Sequence, residues 1–184
     1  MTTHQKAICV YGASCEDIAE KYKKAAFETG RLTAEAGASL VSGGGRAGLM
    51  RCAIDGALSA SGTTIGVLPQ FMTERGWQHP HLTRMIVEPD MHSRKATMAR
   101  LSSAVIAMPG GVGTLDELME IITWRQLGIY PGRVVILNTD GYFDPLLQML
   151  DRIASEGFMR SSDRTLWYVA STPDEAVMTA LKEE

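Results

Sequence analysis

The sequence predicts a doubly wound α/β protein with a mainly parallel, seven-stranded sheet and helices on both faces. Three observations predict it. Short β-rich apolar runs alternate with longer helical patterns along the 184 residues. Several of these runs are almost continuously apolar, as strands buried on both faces must be. Two of them end in glycine clusters that lead directly into helical patterns, as strand-to-helix turns do in such sheets. Repeated strand–helix units imply right-handed crossovers within one sheet, and the length fits one domain over residues 1–184.

The expected strands are Ala7 to Tyr11, Ala38 to Ser42, Thr63 to Leu68, Met85 to Glu88, Ala104 to Met108, Arg133 to Asn138 and Leu166 to Val169. Between the first two, Ile18, Tyr22, Ala25, Thr29 and Leu32 recur at helical spacing, and Gly37 supplies a stop. Leu115, Leu118, Met119 and Ile122 form a second apolar stripe. A third helix runs through Leu146, Leu147, Leu150 and Ile153, with Pro145 tolerated in its first turn. Pro69 to Thr83 breaks the rhythm: it has no period, two prolines, two histidines and Trp77, and reads as a long loop of functional or purely connecting character.

Composition narrows the function classes. Apolar residues are 45 % and charged residues 21 %, a globular balance that excludes disordered and fibrous chains. The 18 Lys+Arg against 21 Asp+Glu give a net charge of −3, which argues against a nucleic-acid polymer as partner. No apolar stretch approaches the roughly 20 residues of a spanning helix, and no basic-then-apolar leader is present. The expectation is a cytoplasmic protein without membrane attachment. Cys9, Cys15 and Cys52 show no metal-ligand spacing, and their odd number suits a reducing compartment.

Two glycine clusters carry the chemistry. Gly43-Gly44-Gly45-Arg46-Ala47-Gly48 follows a strand, matches GxGxxG and precedes a helix. Glycines there let the backbone approach a phosphate, and the helix N-terminus offers free N–H groups. A dinucleotide site also wants an acidic residue at the end of the next strand, which here reads Val67-Leu68-Pro69-Gln70. A phosphate cradle is therefore retained and NAD is not. Pro109-Gly110-Gly111-Val112-Gly113-Thr114 is the second cluster; it lacks the ending of a nucleoside-triphosphate P-loop. Two such strand ends at one sheet edge suggest a single phosphate-bearing ligand held between two helix N-termini.

Asp116, Glu117 and Glu120 follow at once, Asp116 and Glu120 on one helix face. First-turn acids also simply stabilise a helix N-terminus, by about 0.3–1 kcal/mol. Glu117, one turn past the loop, stands where a carboxylate would meet a bound sugar. Arg94, in Met91-His92-Ser93-Arg94-Lys95, can clamp phosphate or carboxylate with two parallel hydrogen bonds, or simply pair with a neighbouring acid. His79 and His81 are further substrate-contact candidates; no zinc spacing exists.

These residues carry a family resemblance. PGGVGTLDE (Pro109 to Glu117), SGGGRAGLM (Ser42 to Met50) and MHSRK, in that separation, resemble the LOG ("Lonely Guy") family, cytokinin riboside 5′-monophosphate phosphoribohydrolases often mislabelled as lysine decarboxylases. The similarity covers nearly the whole chain. It departs at Ser93, where glutamate is usual, and at Arg51, where glycine is frequent. The resemblance implies a Rossmann-like fold, a homodimer, and hydrolysis of a nucleoside 5′-monophosphate to free base and ribose 5-phosphate. It puts the catalytic pair on Arg94 and Glu117. Substrate binding then falls on Gly43, Gly44, Gly45, Met91, Lys95, Gly110, Gly111, Gly113, Thr114 and Glu120, with no cofactor and no metal. Met98, Met91, Trp124 and the Pro69 to Thr83 loop are the base-pocket candidates, although Met and aromatic residues at helical spacing more often belong to a core or, as for the apolar helix Leu115 to Leu127 with Trp124, to an interface. Two rivals remain: a non-catalytic nucleotide or molybdenum-cofactor carrier of the same fold, and a pyridoxal-phosphate decarboxylase, for which Lys95 is the only lysine near the motifs.

Overall fold

A computed structural model describes residues 6–160, 163 and 165–182. Seven strands form one sheet: β1 (Ala7–Tyr11), β2 (Ser39–Ser42), β3 (Thr64–Pro69), β4 (Arg84–Glu88), β5 (Ala104–Ala107), β6 (Arg133–Leu137) and β7 (Tyr168–Ala170). The order is β4-β3-β2-β1-β5-β6-β7, and every pair is parallel. Val10 of β1 faces Ser42 of β2 on one side and Ile106 of β5 on the other. The winding reverses between β1 and β5, which opens a crevice beyond their carboxyl ends.

The helices are α1 (Glu20–Glu35), α2 (Gly48–Ser59), α3 (Gln70–Glu74), α4 (Met91–Leu101), α5 (Val112–Gln126), α6 (Asp144–Ser155) and α7 (Pro173–Leu181). Alternate residues of each central strand feed opposite cores. Ile8 and Val10 join Leu40, Ile54 and Ile106 beneath α1, α2 and α7. Cys9 and Tyr11 join Val41, Val105, Leu118 and Phe143 on the α4–α5 side. Burial on both faces is why β1 and β5 read as unbroken apolar runs. The α1–α2 seam is closed by glycines: a methyl on Gly30 would overlap the Ala53 carbonyl, and one on Gly56 the Phe27 carbonyl. Among the described residues no helix is long and apolar enough to cross a membrane.

Four local expectations change. Pro69 to Thr83 is not a featureless loop: it holds α3 and an antiparallel bridge, Gly45 to Gln78. The last strand lies at Tyr168–Ala170 rather than Leu166 to Val169. Helix α1 starts at Glu20, past Ile18, and ends where Gly37 takes φ +74°. Helix α7 was not anticipated, although Thr172 caps it by accepting a hydrogen bond from the Glu175 N–H at 3.3 Å.

Candidate active site

The loops after β1, β2 and β5 enclose a cleft of about 950 Å³ at the winding reversal, large enough for a small-molecule ligand on the usual scale of roughly 300–1,000 Å³. One side of it is formed by the start of α5. Gly111 caps that helix without a side-chain partner, and the positions a side chain would take at Gly111 and Gly113 are open. Free N–H groups and the helix dipole there favour an anion. The start of α2 is less available. Gly48, at φ +61°, presses against the Ala13–Cys15 backbone, and the Leu49 N–H is already given to the Ala13 carbonyl at 2.8 Å. The expected symmetry of two helix N-termini is therefore absent: the α5 turn is open, while the Gly43–Gly45 turn contributes backbone surface.

Arg94 and Glu117 meet in the wall between these turns. Arg94, 5 % exposed, donates from Nε to the Val67 carbonyl at 3.0 Å and from Nη1 to Glu117 Oε1 at 3.0 Å. Burial pushes the Glu117 carboxyl above its ordinary value, against the pull of the Arg94 charge and hydrogen bond. Behind it, burial also drives the Cys9 thiol and the Tyr11 hydroxyl well up. This is a low-dielectric floor with one paired carboxylate exposed to the cleft, an arrangement suited to meeting developing positive charge. Gly43 is required here: a methyl on it would overlap Arg94 Nη2 and stand 3.1 Å from Cζ.

Of the sequence-selected residues, Gly43, Gly45, Met91, Arg94, Gly110, Gly111, Gly113, Thr114 and Glu117 line the cleft. Gly44, Lys95 and Glu120 do not. Gly44 turns at φ +66° against Gly66 and Leu68. Lys95 Nζ sits 2.9 Å from Asp116 and 3.2 Å from Glu120, joining α4 to α5. Burial pulls the Lys95 ammonium down, but the two carboxylates outweigh it and leave it raised. Thus Asp116 and Glu120 do share a face, and Lys95 occupies it.

Of the base-pocket candidates, Met98 is buried in the core and Trp124 lies on a separate groove along α5, so neither lines the cleft. Met72 and Trp77 from the irregular segment do, beside Met50 and Leu68. His79 is buried behind the segment and His81 does not line the cleft. Sequence reasoning missed Tyr142, whose hydroxyl donates to the Gly110 carbonyl at 2.7 Å and whose ring packs edge-on against Tyr22 at 5.7 Å. It lies 32 residues from Gly110, with no shared motif to connect them.

Parallel α/β winding, a glycine-lined crevice at its reversal and a buried Arg–Glu pair define a Rossmann-like protein built to hold a phosphate-bearing small molecule. The family model described as possible lysine decarboxylase matches residues 50–180. A rice protein (Oryza sativa subsp. japonica) named probable cytokinin riboside 5′-monophosphate phosphoribohydrolase LOGL2 is 40 % identical over 172 residues, 94 % of this chain and 70 % of its own. Arabidopsis thaliana LOG4, named cytokinin riboside 5′-monophosphate phosphoribohydrolase, is 39 % identical over 92 % of this chain and 79 % of its own. The chain belongs to this LOG family. Among solved structures, the molybdenum cofactor binding protein of Rippkaea orientalis superposes with a TM-score of 0.73 at 25 % identity, covering 95 % of each chain. The Moco carrier protein of Chlamydomonas reinhardtii gives 0.72 at 28 %, covering 95 % of this chain and 94 % of its own.

Proposed function

We propose that this protein is a phosphoribohydrolase that cleaves the N-glycosidic bond of a nucleoside 5′-monophosphate, either AMP or a cytokinin riboside monophosphate. The observation that carries the reading is the buried Arg94–Glu117 pair, 3.0 Å across, on the wall of a cleft whose other end is the open α5 turn. An anion site alone would not need that carboxylate.

In the proposed reaction, Gly110, Gly111, Gly113 and Thr114 hold the 5′-phosphate, with Gly43 and Gly45 packed along the sugar. Remote phosphate binding then fixes the anomeric carbon beside Glu117. As the C1′–N bond breaks, its electron pair leaves with the base and the ribose ring gains positive charge. The Glu117 carboxylate stabilises that charge and orients the water whose oxygen bonds to C1′. One water proton ends on the departing base nitrogen, giving free base and ribose 5-phosphate. Arg94 holds Glu117 in register and neutralises charge on the substrate. Met91, Met50, Met72 and Trp77 form the apolar end that receives the base. Lys95 and Glu120 act from behind, by fixing α4 to α5.

Relatives named as phosphoribohydrolases support the reading. The test is incubation with AMP and with isopentenyladenosine monophosphate, followed by chromatography. Ribose 5-phosphate must appear, and Arg94→Ala or Glu117→Ala must lower turnover about 10²–10⁴-fold. Near-wild-type release by either variant refutes the assignment. The two solved carrier proteins favour a second reading, cofactor carriage without catalysis. Tight AMP binding without ribose 5-phosphate would select it.

The α5 groove lined by Val112, Leu115, Met119 and Trp124, with Val112 86 % exposed, supports a homodimer. A monomer in sedimentation at micromolar concentration argues against that. The free cysteines, Cys15 exposed among them, support a cytoplasmic setting.

A further inference from the structure

We propose that His79 is a positioning residue that fastens the Trp77 wall of the cleft to the Gly43–Gly45 turn, and so tunes affinity for the base rather than the rate of bond cleavage. Of the described histidines only His79 is buried, at 4 % exposure. Its Nδ1 accepts the His81 N–H at 3.2 Å, so in the neutral ring Nε2 carries the proton. That Nε2 donates to Asp55 Oδ1, 3.0 Å away on α2. The backbone repeats the attachment. His79 N–H donates to the Gly44 carbonyl at 2.8 Å, Arg46 N–H donates to the Trp77 carbonyl at 2.9 Å, and Gly45 bridges Gln78.

The far end of the segment is held separately, where Thr83 N–H donates to Thr64 Oγ1 at 3.0 Å and Leu82 packs against the core; around Trp77 the further contacts are local. Trp77 N–H closes a turn onto the Met72 carbonyl at 3.1 Å, and the Arg75 guanidinium lies 5.1 Å from the Trp77 ring. Trp77 itself is 42 % exposed, so burial does not fix its backbone. The imidazole ties the segment to α2 by a side-chain hydrogen bond. A buried polar side chain with both nitrogens satisfied specifies one position where an apolar side chain would not. Asp55 is anchored in turn, 3.4 Å from Arg51 one helical turn away.

Trp77 belongs to the apolar end of the cleft, and Arg94 and Glu117 to the wall between the glycine turns. Loosening the Trp77 wall removes contacts made equally in the ground and transition states. Such a loss raises KM and leaves kcat alone.

This inference rests on the nucleotide reading, and its test separates the two. Kinetics with AMP are measured for His79→Ala, His79→Gln and Asp55→Ala, with calorimetric binding of AMP and of ribose 5-phosphate. The expected result for His79→Ala is a KM and an AMP Kd raised about tenfold, with kcat within about twofold. Ribose 5-phosphate, which has no base, should bind within about twofold of wild type. His79→Gln places an amide nitrogen where Nε2 stood and should recover most of the loss. Asp55→Ala should match His79→Ala, and the double variant should add nothing. Unchanged AMP affinity, equal weakening of ribose 5-phosphate, or no rescue by glutamine overturns the proposal. Asp55→Ala leaves the ring in place and decides the matter if His79→Ala does not fold. If the wild-type protein binds AMP but hydrolyses none, the enzymatic reading fails, and the affinity ratios still judge His79.

Discussion

Gly43→Ala isolates the role of Arg94 without touching its side chain. Gly43 is not in the left-handed region, so its backbone accepts alanine. The added methyl overlaps Arg94 Nη2, and Met50 Sδ at 3.0 Å closes another direction. The guanidinium must then leave one of its two anchors, the Val67 carbonyl or Glu117, each at 3.0 Å. A hydrogen bond to a charged group contributes about 1.5–3 kcal/mol. At 1.36 kcal/mol per decade, the loss in kcat/KM is about 10–150-fold. The assay is ribose 5-phosphate release from AMP, in wild-type protein and in an Arg94→Ala background. Without the guanidinium there is nothing to displace, so the methyl should cost less than about twofold in that background. A full second loss in the double variant would refute the account, because the added methyl would then act other than by displacing Arg94.

Two further outcomes follow from the electrostatics. Burial raises the Glu117 carboxyl, and the proposed mechanism needs it ionised. Activity should therefore fall with acidification through a midpoint above the ordinary Glu value of about 4.3, read from kcat/KM against pH; a limb at or below that value contradicts the burial assigned here. For folding the sign is reversed: a carboxyl raised in the folded state contributes most below its unfolded value, and that contribution is lost as pH rises through its folded value. Lys95→Met should lower unfolding free energy by about 1–2 kcal/mol, because Glu120 loses its partner while the exposed Asp116 is rescued by water. Its KM for AMP should stay within about twofold, and a large KM rise with unchanged stability would restore Lys95 as a substrate contact.

The fold was legible because the constraint is local. A strand buried on both faces is apolar along its length, as β1 and β5 are, and β2 departs from this only in the buried serines at its two ends. The Arg94–Glu117 pair was legible because each residue sits in the first turns of a helix after a strand, where an α/β sheet presents its ligands. The rest depended on contacts between distant segments. Nothing in Gly48 announces that the Ala13 carbonyl occupies the amide beside it. A helical period gives a stripe but not its neighbour, which is why Met98 and Trp124 read both as base-pocket candidates and as core or interface, and why Lys95 reads as a ligand contact. The Trp77 wall has no period at all, because it takes its shape from the Gly44–Arg46 turn to which its backbone is hydrogen-bonded. Helix α7 carried a readable signal, Thr172 three residues before Glu175, in a chain end too short to show a stripe.

The Tyr142 hydroxyl gives the cleft a reach that its lining alone does not suggest. By holding the Gly110 carbonyl, it couples the turn after β6 to the amides facing a bound anion. Asp140, at φ 55° in that turn, is tethered in turn to Lys21 on α1. An anion held at that turn is expected to stiffen a belt running from it through Tyr142 to the first helix, read as slowed amide exchange across Thr139–Phe143.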